Sequence, residues 1–337
     1  MRESHHSLQK GKALIALAES AGENAQDLCA AAWVAKQLCP KEFGDIGFFL
    51  MDDQRDPALA SEVARALCAN PSNLVGVVGH FSSPVAKTVA PIYRSHNLAF
   101  IASGSSADDL CTKEASGAVQ LFAQDAPQLE CIADAIMETS GAVLAMGQLR
   151  NAGEHLCRAL KGVLRQRGRS QGVTTKLIDF DKVPVQIPDG DFGCCVFLGS
   201  KEFTAKCLNA LRPSQSETVI LSDDSLNAPS ISQYATQVST PIFCAALDTS
   251  VFEGNIEIID QATRLAEGLL KRKPGPYFLT SLIALAILAQ CEAERASTRS
   301  SRLKKFKDRR FRTPFGNAHF DSLGRAVGLG WKLQRVH

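Results

Sequence analysis

The chain has 337 residues, with 37 basic and 35 acidic side chains, and hydrophobic residues make up 45% of it. At about 150 residues per domain, this length predicts two domains, each able to bury a core without disulfides or metal. The formal charge of +2 predicts no nucleic-acid partner for the protein as a whole. The composition excludes a largely disordered chain.

Short apolar runs recur along the chain, and each is followed by a longer amphipathic stretch. Runs that are apolar throughout are typical of strands in a parallel sheet with both faces covered. The predicted strands are 13–18, 46–50, 74–79, 98–103, 142–147, 194–199, 218–222 and 241–246. The predicted helices are 24–38, 57–69, 83–95, 127–139, 152–167, 201–211, 255–272 and 276–295.

The alternation of strands and helices predicts an α/β fold of right-handed βαβ units in doubly wound parallel sheets. A break at 120–127 separates the first four strands from the others and favours two lobes over one large sheet. Near its end the chain has two long helices, a basic stretch and a strand-like segment at 317–321. We therefore expect lobe one to hold residues 1–124 and 248–311, and lobe two to hold 125–247 and 312–337, with a multi-strand hinge between them.

No apolar run approaches the roughly 18 residues that span a bilayer, so the sequence predicts no membrane span. Residues 13–18 follow Lys10 and Lys12 as the core of a leader would. They are fewer than the roughly 7 to 15 apolar residues of a secretory leader, and we interpret them as the first strand. The eleven cysteines form no CxxC pair. Their odd number and apolar neighbours favour buried, reduced thiols and a reducing compartment.

Strong enzyme signatures are missing, because the sequence has no GxxxxGK[ST], GxGxxG, HExxH or GxSxG motif. The seven histidines, among them the adjacent His5 and His6, show no metal-ligand spacing. We therefore expect no enzyme, no metal and no cofactor. The basic run 302–312 is interpreted as a solvated helix face, in preference to a nucleic-acid or anionic-membrane patch.

Small hydroxyl residues follow two predicted strands at the point where each strand ends. Open α/β sheets bind ligands outside the carboxyl ends of their strands, and hydroxyls at helix starts suit a carboxylate. The alternative interpretation is that these serines are ordinary helix caps. The candidate ligand-binding residues are Phe81, Ser82, Ser83, Ser103, Gly104, Ser105 and Ser106.

A further candidate, Asp223, lies in Ser222-Asp223-Asp224-Ser225, directly after the strand predicted at 218–222. A carboxylate that faced the serines across a cleft would neutralise a ligand ammonium group, so that the two lobes together would hold a zwitterion. Another aspartate cap is the alternative.

Four stretches of the expected lobe one form a recognisable pattern: 52–57 (DDQRDP), 75–83 (VGVVGHFSS), 90–93 (APIY) and 101–106 (IASGSS). This pattern resembles the Leu/Ile/Val-binding-protein family of type I periplasmic receptors for branched-chain amino acids. Ser20-Ala21-Gly22, the pair Asp125 and Gln128, and the segments 313–316 and 320–324 are similar to the family's opening turn, inter-lobe passage and closing pattern. The resemblance covers nearly the whole chain and is most specific over 52–106.

The resemblance implies roles for individual residues. Ser83 and Ser106, with Ser105 nearby, would bind the backbone of an amino acid, Asp223 would meet its ammonium group, and Phe81 would border its side chain. The second lobe departs from the family pattern: Ala152-Gly153 stands in place of Tyr-Gly, and the Ser200-Lys201 region replaces an aromatic residue. The ligand is therefore expected to be a small polar solute that need not be a branched-chain amino acid.

The expected function is solute binding by hinge closure, with the membrane permease of an ABC importer as partner. The resemblance implies a periplasmic location. A cytoplasmic ligand sensor of the same fold, and a family member that no longer binds ligand, remain as alternatives.

Overall fold

The computed structural model describes residues 13–69, 73–112, 117–211, 218–227, 240–252, 254–295 and 306–336. His5, His6 and residues 302–305 of the basic run lie outside these ranges. The chain divides into two compact units. Unit 1 comprises the described residues up to Phe122 and those of Ser250–Gly328, and unit 2 comprises those of Ala123–Thr249 and from Leu329 onward.

The strands and helices alternate through most of the described chain. The strands are β1 (Ala13–Ala18), β2 (Ile46–Met51), β3 (Leu74–Gly79), β4 (Ala99–Ala102), β5 (Val119–Gln120), β6 (Ala142–Gln148), β7 (Val173–Ile178), β8 (Phe192–Leu198), β9 (Val219–Ser222), β10 (Ile242–Asp248), β11 (Arg309–Thr313), β12 (Gly316–Phe320) and β13 (Gly330–Arg335). The helices are α1 (Glu23–Leu38), α2 (Pro40–Phe43), α3 (Pro57–Ala69), α4 (Ser83–Ser95), α5 (Asp125–Glu138), α6 (Ala152–Gln166), α7 (Lys201–Asn209), α8 (Ile256–Leu270) and α9 (Phe278–Arg295).

The sheet of unit 1 has the strand order β2-β1-β3-β4-β5, and all of its pairs are parallel. Every residue of β3 and β4 is buried. Helices α3 and α4 contribute to a core cluster with alternate residues of the strands, such as Val77 and Phe100. Helices α1 and α9 pack on each other and against β1. Strands covered in this way must be apolar on both faces, which explains their uniform composition.

The sheet of unit 2 has the order β13-β10-β9-β8-β6-β7, and its pairs are parallel except for the antiparallel pair of β10 and β13. Its core contains Cys194, Cys195, Cys207 and Cys244 among larger apolar side chains. All eleven cysteines of the protein are free thiols. Burial raises the pKa of Cys195 to about 12, so this thiol acts as a small hydrophobic group.

The predicted α/β fold with doubly wound parallel sheets is confirmed, and all eight predicted strands are present within a few residues of their predicted bounds. The strands β5, β7, β11 and β13 were not predicted, and β11 lies where the end of the basic run 302–312 was interpreted as a helix face. β5 has two residues, too few to form a recognisable run. β7, with the sequence VTTKLI, lies at a sheet edge and alternates in exposure, so it lacks the apolar run that marks the inner strands.

Residues 312–328 belong to unit 1, so the placement of all of 312–337 in lobe two is corrected. β11 and β12 form an antiparallel hairpin whose Phe311 and Phe320 rings are buried 5.9 Å apart. Gly316, at φ +146°, packs so closely that a Cβ there would lie 2.8 Å from the Phe252 Cβ. The packing of these residues against the unit 1 core, which a sequence cannot show, decides their place.

We expect Phe320→Ala to lower the free energy of unfolding by about 3–5 kcal/mol, because it removes a fully buried ring and leaves a cavity. Thermal or urea unfolding measures the effect. The control is Val327→Ala, on the same segment but 46% exposed, which should change stability by less than about 0.5 kcal/mol. Equal effects of the two substitutions would contradict the placement of the hairpin in the core of unit 1.

Candidate functional site

In the sheet of unit 1, the chain proceeds from β1 outward to β2 on one side and then to β3, β4 and β5 on the other side, so the strand order reverses between β1 and β3. The strands on both sides of this reversal pair in parallel. Open α/β sheets of this 2-1-3-4-5 order bind ligands beyond the carboxyl ends of the strands at this reversal. The residues that follow the strands there are Glu19 after β1, His80 and Phe81 after β3, and Ser103 after β4. The sheet topology therefore brings together the predicted lobe-one residues at one edge.

We use the name hydroxyl cluster for the four serines that follow β3 and β4 at this edge: Ser82, Ser83, Ser105 and Ser106. The Ser83 and Ser105 hydroxyls are hydrogen-bonded at 3.0 Å, although Ser83 opens α4 after β3 and Ser105 lies in the loop after β4. Ser105 is buried, whereas Ser82, Ser83 and Ser106 are half-buried. Gln120 Nε2 donates to the Ser105 carbonyl oxygen at 2.9 Å and holds this loop in place. Ser82 caps α4 without a side-chain capping bond, so its hydroxyl is not used as an N-cap.

An aromatic wall of Phe81, Phe122 and Tyr277 stands beside the hydroxyl cluster. The centroid of the Tyr277 ring lies 4.8 Å from that of Phe81 and 5.3 Å from that of Phe122. Phe81 also packs on Gly104, where a Cβ would lie 2.7 Å from the Phe81 ring. Glycine is needed at 104 for this approach. Tyr277 and Phe122 were not predicted as site residues, because they come from distant parts of the sequence without a local motif.

Ser103 differs from the other predicted serines in its surroundings. It is fully buried, its hydroxyl lies 3.2 Å from the Ser281 hydroxyl, and its carbonyl oxygen accepts from Thr280 at 2.6 Å. Both partners belong to α9. The side chain of Ser103 therefore joins the loop after β4 to a helix of the core.

A buried chain of hydrogen bonds lies behind Phe81. His80 Nδ1 and the Asp53 carboxylate are 2.8 Å apart, and His80 Nε2 lies 2.8 Å from the Tyr93 hydroxyl. Burial alone would raise the pKa of Asp53, but the hydrogen bonds from His80 and from the Arg55 N–H outweigh it and lower the pKa. The ionised carboxylate thus holds His80, which precedes the aromatic wall.

Glu19 is a buried carboxyl group that sequence reasoning missed. Its Oε2 accepts a hydrogen bond of 2.9 Å from the Phe81 N–H, so it joins the ends of β1 and β3. Burial raises the pKa of Glu19 to about 7, and the nearby Asp53 adds to the rise. A charged residue directly after the apolar run ALIALA was the available signal.

Asp223 lies in unit 2, in the turn after β9, and is buried. Its Oδ2 accepts from the Gly199 N–H at 2.8 Å, and its Oδ1 accepts from the Ser225 N–H at 3.1 Å and the Ser222 hydroxyl at 3.2 Å. These bonds join the ends of β8 and β9. Burial and the neighbouring Asp224 raise the pKa of Asp223 to about 7.

Two further properties bear on the kind of site. Among the described helices, none combines the length and apolarity needed to cross a bilayer. Within the described ranges, no three histidine, cysteine or acidic residues are grouped as metal ligands. The polar groups described above at the unit 1 edge are hydroxyls, backbone N–H groups and carboxyl groups.

The fold is that of substrate-binding proteins of ABC transporters. The branched-chain amino acid transporter substrate-binding protein LivJ from Streptococcus pneumoniae, solved with isoleucine, has a TM-score of 0.75 and 16% identity over 96% of this chain and 99% of its own. The leucine-binding protein LivK from Thermotoga maritima has a TM-score of 0.75 and 14% identity over 94% of this chain and 93% of its own. A solute-binding protein from R. palustris, solved with 4-hydroxybenzoate, has a TM-score of 0.75 and 12% identity over 94% and 90%.

No protein-family model and no curated protein sequence matches this chain. The likeness to solved structures shows that the chain has the two-lobed type I periplasmic binding protein fold. The resemblance found in residues 52–106 is thus confirmed at the level of the fold.

We expect Glu19→Gln to stabilise the protein at neutral and alkaline pH but not near pH 4. Below pH 4.5 the carboxyl group is protonated in both the folded and the unfolded state. As the pH rises from 4.5 to about 7 the unfolded state ionises first, so stability is lost, and above that range the loss is constant. The variant avoids this loss, which amounts to at most about 3.4 kcal/mol.

Thermal unfolding of wild type and variant across this pH range measures the difference. Glu62→Gln, which removes an exposed carboxyl group of α3, is the control and should leave the pH dependence unchanged. A constant difference between Glu19→Gln and wild type at every pH would contradict the buried, raised pKa.

Proposed function

We propose that the protein binds a small polar solute that carries a carboxylate, and that it is not an enzyme. The observation that carries this proposal is the hydroxyl cluster at the β1/β3 reversal, where the Ser83 and Ser105 hydroxyls lie 3.0 Å apart. Ser83 opens α4, whose first N–H groups lack helical partners and favour an anion. Hydroxyls and N–H groups together suit a carboxylate, and the aromatic wall suits an apolar or aromatic ligand side chain.

The proposed binding cycle draws on both units. The carboxylate docks on Ser82, Ser83, Ser105 and Ser106 of unit 1, and hinge closure adds Asp223 of unit 2, which would meet a ligand ammonium group. Contacts that form only in the closed state shift the equilibrium toward that state. In this role the protein serves the permease of an ABC importer from the periplasm, and the transporter proteins that share its fold support the proposal.

A cytoplasmic sensor with the same fold is the second candidate. The eleven free cysteines, of which eight are buried, favour it, because free thiols are maintained in reducing compartments. Ligand binding is common to both candidates and is tested first.

We expect at least one member of a probe panel to raise the melting temperature. The panel contains L-leucine, L-isoleucine, 4-hydroxybenzoate, urea, L-leucinamide and 4-hydroxybenzamide. A ligand at about 100 times its Kd adds about 2.7 kcal/mol to the stability of the folded state, which raises Tm by several degrees. A panel that leaves Tm unchanged contradicts the proposed binding of a small solute.

We expect Ser83→Ala to weaken binding of the stabilising probe by roughly 10- to 100-fold, because a hydroxyl bond to a charged group is lost. Calorimetric titration measures the Kd. Ser95→Ala, at the exposed end of the same helix, is the matched control and should bind as wild type does. If both variants bind equally well, the cluster is not the ligand site.

We expect Asp223→Asn to weaken the binding of L-leucine more than the binding of 4-hydroxybenzoate. Only L-leucine has an ammonium group that the Asp223 carboxylate could contact. Both affinities are measured by the same titration. Equal losses for the two probes would mean that Asp223 supports the fold of unit 2 and does not contact an ammonium group.

A further inference from the structure

Glu19 combines burial with incomplete hydrogen bonding. The residue is fully buried, its Oε2 accepts from the Phe81 N–H, and its Oε1 has no hydrogen-bond partner among the described residues. A buried carboxylate oxygen without a partner is costly, and protonation removes that cost. This group is placed at the β1/β3 reversal, where the ligand site is proposed.

The charges around Glu19 do not balance its ionised form. Arg55 Nε lies 3.8 Å from Glu19 Oε1, beyond hydrogen-bond distance, and 52% of the Arg55 side chain is exposed to solvent. Asp53 adds a second carboxylate, whose own partner is His80 at 2.8 Å. Two carboxyl groups thus lie at the sheet edge that carries the hydroxyl cluster, and one exposed guanidinium opposes them.

An anion that binds to the hydroxyl cluster would meet this negative charge. Glu19 accepts its hydrogen bond from the N–H of Phe81. Phe81 is followed directly in the sequence by Ser82 and Ser83. The loop of the ligand site is therefore joined covalently to the group that Glu19 holds. Since the interior has a low dielectric constant, charges on the two sides of this loop interact more strongly than in water.

We propose that a carboxylate ligand binds to the hydroxyl cluster together with one proton, which Glu19 takes up from solvent. The proposal rests on the proposed function and adds the uptake of a proton to the binding of the ligand carboxylate. The proton goes to Oε1, because Oε2 already accepts from Phe81. Glu19 thereby acts as a specificity-determining residue, because its protonation removes a negative charge from the site when a carboxylate binds. The binding of an uncharged carboxamide causes no such proton uptake.

The ionisation of Glu19 in the protein without ligand supports this coupling of proton and ligand binding. The pKa of Glu19 is raised to about 7 by burial, so near neutral pH the carboxyl group is divided between its two forms. A nearby bound anion raises that pKa further. Affinity for the carboxylate should then be almost constant below about pH 6 and should fall by up to about tenfold per pH unit above pH 7.

The test is calorimetric titration from about pH 6 to about pH 8.5 in buffers of different ionisation enthalpy, which reports the number of protons taken up. The probe is 4-hydroxybenzoate, or L-leucine if that is the carboxylate that binds, with 4-hydroxybenzamide as the uncharged match. The variants are Glu19→Gln, which keeps an acceptor for the Phe81 N–H, and Glu62→Gln as an exposed control. Asp223→Asn tests the other carboxyl group that titrates near neutral pH.

We expect wild type and Glu62→Gln to take up a fraction of a proton that approaches one above pH 7. Glu19→Gln should take up none and should bind the carboxylate more tightly than wild type at the highest pH. The inference is overturned if wild type takes up no proton or if Glu19→Gln still takes one up. It is also overturned if proton uptake is lost in Asp223→Asn and not in Glu19→Gln. A panel in which carboxamides bind and carboxylates do not overturns it too, which leaves solute binding intact. A panel in which nothing binds overturns the proposed function as well.

Discussion

The parallel pairing of β1 with both β2 and β3 is the constraint on which the proposed site depends. It sets the carboxyl ends of β1 and β3 side by side, and β4 follows on the far side of β3. Three loops from different parts of the chain are thereby forced to one edge. Because connections leave this reversal in opposite directions, the loops separate and leave room for a ligand. Ser83 and Ser105 meet beside this reversal because they follow β3 and β4, which are parallel neighbours in the sheet.

In both units a buried carboxyl group after one strand accepts a hydrogen bond from a backbone N–H after the neighbouring strand. In unit 1, Glu19 after β1 accepts from the Phe81 N–H after β3. In unit 2, Asp223 after β9 accepts from the Gly199 N–H after β8. In both cases a buried carboxyl group replaces the missing ladder bond beyond the last strand residues, and burial raises its pKa. Such groups reduce stability, and natural proteins retain costly polar groups mainly at functional sites.

Much of the fold could be predicted from the sequence because burial on both faces leaves a strong local signal. The strands β3 and β4 are apolar throughout, and their loops carry the serines that the structure brings together. β7 gave no such signal because it lies at an edge. The placement of 312–328 depends on contacts of Phe311, Gly316 and Phe320 with residues far away in the sequence, which local patterns do not encode.

Only some residues of the proposed site could be predicted from the sequence, and whether a residue could be predicted again depends on its distance along the chain from the others. Serines at helix starts form a local motif, so the hydroxyl cluster could be found. Glu19 and Tyr277 reach Phe81 from 62 and 196 positions away along the chain, and each looks ordinary among its own neighbours. Their importance arises from the pairing of β1 with β3 and from the position of α9. Asp223 was chosen as a candidate because it belongs to a polar group directly after a strand, and its role in binding stays a prediction.

The order of elements along the chain has a consequence for synthesis. The five strands of the unit 1 sheet end at Gln120, but α9, which packs against β1, β3 and α1, is made only after the described strands β6 to β10 of unit 2. In a nascent chain, the sheet face on which α1 packs therefore lacks α9 while more than a hundred further residues are synthesised. Domains that complete themselves late are prone to aggregation and depend on chaperones during that interval. Unit 1 thus starts to form before unit 2, yet it completes its core only after β6 to β10 of unit 2 have been made.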